Sequence, residues 1–148
     1  LEVAREENSL AHFRAPLRDA GCRVSIFIAA DRRQIEAAHR IGAPVIELHT
    51  GAYCEAGFAG DTAVEAEELA RLTDMAAFAR DLGLEVHAGH GLTFDNVAPI
   101  AALPEVMELN IGHFLIGEAI FCGLDSAIRR MRNLMDAARR DAFGEGAA

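Results

Sequence analysis

An α/β fold built on a parallel sheet is predicted by two observations. Four short apolar runs, Val24–Ile28, Val45–His49, Leu84–Ala88 and Val106–Ile111, recur along the chain, each followed by a segment of helical periodicity. That alternation produces parallel strands joined by crossover helices. In addition, glycine-bracketed histidines, in Ala88-Gly89-His90-Gly91-Leu92 and Asn110-Ile111-Gly112-His113, stand where a strand stops and a helix begins. Parallel sheets hold their ligands over the carboxyl ends of the strands, where glycines let backbone N–H groups approach an anion. Four strand–helix units amount to half of a TIM (β/α)8 barrel, whose usual length is ~250 residues.

The elements follow in order. Glu2–Ala20 reads as a helix that Pro16 should kink or restart. After the first strand, Asp31 and Gln34 form a capping box for a helix over Arg32–Ile41, which Gly42 ends before Pro44 opens the second strand. The best-marked helix runs from Thr62 to Leu82, with Leu69, Leu72, Met75, Ala76, Ala79 and Leu82 on one stripe and Gly83 as terminator. Ala56–Asp61, before it, reads as a loop. Gly112–Cys122 is too short for a crossover helix and suits the small extra helix that binds phosphate after the eighth strand of such barrels. The last helix, Asp125–Phe143, puts Ile128, Met131, Met135, Ala138 and Ala142 on one face, with Arg129, Arg130, Arg139 and Arg140 as a solvated face. Residues 1–143 are therefore expected to be half of a single TIM-barrel domain, with a flexible tail over 144–148.

Composition removes several classes of function. The 148 residues are 51% hydrophobic, enough for a core, and the net charge of −9 leaves no basic stripe for nucleic acid. No apolar run approaches the ~18 residues that cross a bilayer. Cys22, Cys54 and Cys122 lack CxxC spacing, so they are expected to be reduced thiols in a cytoplasmic protein.

The residues that carry chemistry lie at strand ends. Period-two alternation puts Val45, Glu47 and His49 on one face of the second strand. A strand buried on both faces should be nearly all apolar, so Glu47 is either satisfied by a histidine inside the barrel or faces a substrate as an electrostatic or general-base group. His90, with glycine on both sides, is either a proton donor or acceptor, or a helix cap; Thr93-x-x-Asn96 already supplies a cap. His87 points inward near Glu85 as packing or as a ligand. His113 opens the short helix, as an ordinary helix start or as part of an anion site built with backbone N–H groups. His12 and His39 lie on helix surfaces without a role.

Taken together, Val45-Ile46-Glu47-Leu48-His49-Thr50-Gly51, Ala88-Gly89-His90-Gly91-Leu92-Thr93 and Glu108-Leu109-Asn110-Ile111-Gly112-His113 closely resemble the pyridoxine 5′-phosphate synthase family, in order and in spacing. The resemblance runs from about Leu1 to Arg139 and includes Val24–Ile28 and the Gly123-Leu124 pair. It implies a TIM barrel of which this chain is the C-terminal half, strands 5–8. It also implies closure of the pyridine ring of vitamin B6 from 1-deoxy-D-xylulose 5-phosphate and 3-amino-2-oxopropyl phosphate. By that resemblance His90 is the proton donor, Glu47 stabilises charge in the transition states, and Gly91, Gly112 and His113 bind the aminoketone phosphate. A further catalytic His and Glu in the family's N-terminal half have no counterpart here. The expected partners are phosphorylated small molecules and further copies of the chain, with no cofactor and no metal. Two other readings compete: a metal-dependent barrel isomerase using Glu47, His49, His87, His90 and His113, and a non-catalytic half-barrel assembly module.

Overall fold

The computed structural model describes residues 1–144; the expected tail falls largely outside the described residues. Four strands, β1 (Ser25–Ile28), β2 (Val45–His49), β3 (Glu85–Gly89) and β4 (Val106–Asn110), form one sheet in the order β1-β2-β3-β4. All neighbouring pairs are parallel. Strand positions match the expectation to within a residue at most ends. Seven helices complete the described chain: α1 (Val3–Asp19), α2 (Arg32–Arg40), α3 (Gly51–Ala59), α4 (Thr62–Asp81), α5 (Val97–Ala101), α6 (His113–Cys122) and α7 (Leu124–Phe143).

The pleat puts most of the apolar strand residues on one face. Ile26, Ile28, Ile46, Leu48, Val86 and Ala88 are buried on one face, against Ile35, Ala37 and Ala38 of α2 and Leu72, Ala76 and Ala79 of α4. Burying a Leu or Ile side chain is worth about 1.5–3 kcal/mol, so this layer holds the molecule together. A second, smaller cluster of Phe94, Val97 and Met131 seats α5 and α7 beside β4. On the opposite face, the register sets Glu47 beside His87 and His87 beside Glu108, a polar row across three strands. Met107 is the extra residue of a bulge that shifts the β3–β4 register, and its side chain is exposed.

Several expectations are corrected. Pro16 does not break α1; the non-helical backbone is at Glu6 (φ −114°, ψ 16°). The carbonyl that Pro16 frees belongs to exposed His12, where water can satisfy it. Asp31 does cap α2 by accepting from the Gln34 N–H at 3.1 Å. The Gln34 side chain, however, does not complete the box: it donates to Glu2 and accepts from the Ala4 N–H, tying α2 to α1. Most of the expected loop 56–61 is the end of helix α3, whose Tyr53, Cys54 and Ala56 are buried. In α7 the seam is Ala127 and Met131, whereas Ile128 is half exposed. Its arginines are not simply solvated. Arg130 lies 4.1 Å over the Phe94 ring, and Arg139 donates to the Val106 carbonyl, while Arg129 pairs with Asp125.

Candidate active site

A cleft of about 610 Å³ opens at the carboxyl ends of β2, β3 and β4, and Glu47, His90, Gly91, Gly112 and His113 all line it. Phe27, Phe58, Asn110 and Phe114 also form part of its wall. The strand order brings three separate sequence blocks to one place.

Glu47 sits on β2, opposite Phe27 of β1 and His87 of β3. Burial pushes its carboxyl pKa up; the Asn110 amide, His87 and His90 pull the other way, and Glu108 adds to the rise. A Cβ built on Gly89 would come within 2.5 Å of the Glu47 carboxylate and 2.7 Å of the Asn110 carbonyl. Glycine is therefore required where this carboxylate meets the β3–β4 ladder.

His90 is the one non-glycine residue with positive φ (+81°) among the described residues. Such a backbone costs of order 1–3 kcal/mol, persists only when its surroundings fix it, and collects at functional sites. Here the fixing is visible. The Thr50 hydroxyl lies 2.6 Å from the His90 carbonyl and 2.8 Å from that of Gly89, and the Thr50 N–H bonds the Gly89 carbonyl at 2.9 Å. The Cys54 thiol also faces the His90 carbonyl, at 3.6 Å. Gly91 follows at φ +83°, and a Cβ there would meet the Cys54 Cβ at 2.9 Å, so the turn fits against α3 only with glycine. The imidazole of His90 is exposed to the cleft.

His113 is the first residue of α6, and no side chain caps that helix. Gly112 and His113 are exposed at its amino end, leaving N–H donors directed outward in the manner that suits an anion. His87 is buried, with Nε2 2.8 Å from Glu85 and Nδ1 3.4 Å from Glu108; it belongs to the polar row, not to the cleft. The Asn96 amide oxygen accepts the Thr93 N–H at 2.7 Å, while the Thr93 hydroxyl accepts from Asp95, so that turn is capped without His90. No group of three His, Cys, Asp or Glu side chains among the described residues is arranged to hold a metal ion. Cys22, Cys54 and Cys122 are free thiols, and no helix among the described residues is long and apolar enough to cross a membrane.

The family model described as Pyridoxal phosphate biosynthesis protein PdxJ matches residues 1–137. The chain belongs to this family. The match covers nearly all of the chain and not its C-terminal half alone. Among curated relatives, the pyridoxine 5′-phosphate synthases of Roseobacter denitrificans and Ruegeria pomeroyi are 78% and 76% identical over 139 residues. That of Jannaschia sp. is 68% identical over the same length. Each alignment covers 94% of this chain and 56% of the relative, so the chain spans a little over half the length of these PdxJ relatives.

Two contacts of the site are not part of the reading from sequence. Asn110 acts on Glu47, and alternation from Glu108 would have placed it on the same face. His49 was visible beside Glu47, but its contact with His90 depends on the β2–β3 register, which sets His49 opposite Gly89.

Proposed function

We propose that this chain forms the C-terminal half of a TIM barrel that makes pyridoxine 5′-phosphate. The reaction would condense 1-deoxy-D-xylulose 5-phosphate with 3-amino-2-oxopropyl phosphate, releasing phosphate and water in a transferase-type ring closure. One observation carries the reading: Glu47 of β2, His90 and Gly91 after β3, and Gly112 and His113 after β4 line a single cleft. The parallel sheet in sequence order and the family membership support the same assignment.

Each residue has a physical role in that reaction. The amino end of α6, with Gly112, His113 and the backbone at Gly91, holds the phosphate of the aminoketone through N–H donors and the His113 side chain. His90 delivers a proton to the oxygen that departs as water. Glu47, as a carboxylate, stabilises positive charge that develops on the nitrogen-bearing carbon skeleton during ring closure. The free thiols suit a reducing cytoplasm.

A second reading is favoured by the surface of α6. Ile116, Ile120 and Phe121 are 60%, 79% and 88% exposed, and both sheet edges carry unpaired backbone groups. The 148-residue chain by itself is thus expected to associate and to form no detectable product. Light scattering after size exclusion, with a product assay on the chain alone and with the remaining part of a full-length relative supplied, tests both readings. Product only in the supplemented sample supports the synthase reading; a monomer that turns over both substrates unaided contradicts the half-barrel.

A further inference from the structure

Aromatic rings from β1, β2 and the turn after β3 meet beside the cleft. The His49 ring stacks on the His90 ring, with centroids 4.5 Å apart and planes inclined by 29°. Phe27 lies 5.0 Å from His49 and 6.4 Å from His90. The stack is possible because the register places Gly89, which has no side chain, opposite His49.

The two histidines are held very differently. Nδ1 of His49 accepts a hydrogen bond from the Gly51 N–H at 3.0 Å, at the first turn of α3. An accepting nitrogen carries no proton, so the neutral ring bears its proton on Nε2. Protonating Nδ1 would cost that bond. Burial and the neighbouring His90 push the His49 pKa down further, as does the chain's amino terminus, against the pull of Glu55. The His90 ring has no hydrogen-bond partner among the described residues; its position is set by a left-handed backbone and by ring contacts.

We propose that His49, clamped through Nδ1 by the Gly51 N–H, is a positioning residue whose ring sets the orientation of the His90 imidazole over the cleft. The proposal rests on the reading of His90 as proton donor. A ring that stays uncharged is the appropriate neighbour for such a donor, because two adjacent imidazolium ions repel. A displacement of the donor by about 1 Å is enough to cost turnover on the order of 10²-fold.

Two substitutions separate the ring from the clamp. His49→Asn retains an acceptor near the Nδ1 position but removes the ring; His49→Phe retains a ring but removes the acceptor. In side-chain NMR spectra of the 148-residue chain, His49 is expected as the Nε2–H tautomer, with the His90 ring protons displaced by the stacked ring. His49→Asn loses that displacement, and His49→Phe, whose ring lacks the clamp, keeps only part of it. In the active full-length enzyme, His49→Asn lowers kcat roughly 10- to 100-fold and leaves KM within about twofold, the pattern of a mispositioned reacting group. Unchanged His90 shifts in a folded His49→Asn chain overturn the proposal, as does a His49 protonated on Nδ1. If His49→Asn does not fold, His49→Leu, which fills the space without a ring, is read in its place, and unchanged His90 shifts in it overturn the proposal. A wild-type enzyme that forms no pyridoxine 5′-phosphate refutes the synthase reading, and the spectra still decide the role of His49.

Discussion

The two faces of one four-stranded sheet carry different burdens. Ile46 and Leu48 of β2 point to one side and are essentially fully buried against α2 and α4, whereas Glu47 and His49, the residues interleaved with them, point to the other and remain partly exposed. The first face is interchangeable in chemistry and constrained in volume. The second is constrained in chemistry: one carboxylate with a raised pKa, a strained His90 and an uncapped helix end. A single pleated strand thus separates stability from reactivity by one residue, because successive side chains leave on opposite sides.

The largest test of that separation is on the packed face. Leu48→Ala or Ile46→Ala is expected to cost about 2–5 kcal/mol of stability, read as a lower denaturant midpoint. Either substitution should leave the site geometry of the remaining folded molecules intact. A cost below about 1 kcal/mol would mean that this face is not the core it is taken to be.

His90 gives the opposite result. His90→Gly removes the proposed proton donor and also the steric penalty at φ +81°. Turnover in the full-length enzyme should fall on the order of 10²-fold or more, while stability holds or rises by about 1 kcal/mol. A variant that is both active and less stable would assign His90 a structural role instead.

Legibility in the sequence follows the same division. β2 and its flanking turns are readable from Val45–His49 because an apolar run bounded by Pro44 and Gly51 admits few alternatives. Glu47 stands out because a charge in such a run needs a reason, and His90 because glycine flanks it on both sides. Helix α3 does not stand out. Gly51 and Gly57 lower its helix propensity, and the Thr50 hydroxyl at its start is turned to the Gly89 and His90 carbonyls and does not cap the helix. That helix exists through tertiary contacts of Tyr53 and Cys54, which no local pattern records. The His49–His90 stack is invisible for the same kind of reason, since it depends on which residue of β3 pairs with which residue of β2.

The smallest expected effect concerns pH and Glu47. Its carboxyl holds its proton to a higher pH in the folded protein than in the unfolded chain, chiefly through desolvation. The associated stability is present below the ordinary carboxylate pKa and is lost as pH rises through the raised value. Glu47→Gln removes this dependence, so wild type should weaken relative to the variant as pH rises from below the ordinary carboxylate value through the raised one. The difference should stay below about 1 kcal/mol, because the group is partly exposed and screened. Paired denaturation curves at acid and neutral pH measure it, and an opposite slope would mean that Glu47 is charged and well satisfied throughout.

Whether the polar face and its strand ends form a phosphate-binding catalytic cleft is decided by following backbone amide shifts of the 148-residue chain during titration with 3-amino-2-oxopropyl phosphate. Saturable changes at Gly91, Gly112 and His113, spreading to Glu47 and His90 and absent at the α7 arginines, are the predicted result. Saturable changes confined to the arginines of α7, or none at the carboxyl ends of β3 and β4, would contradict it.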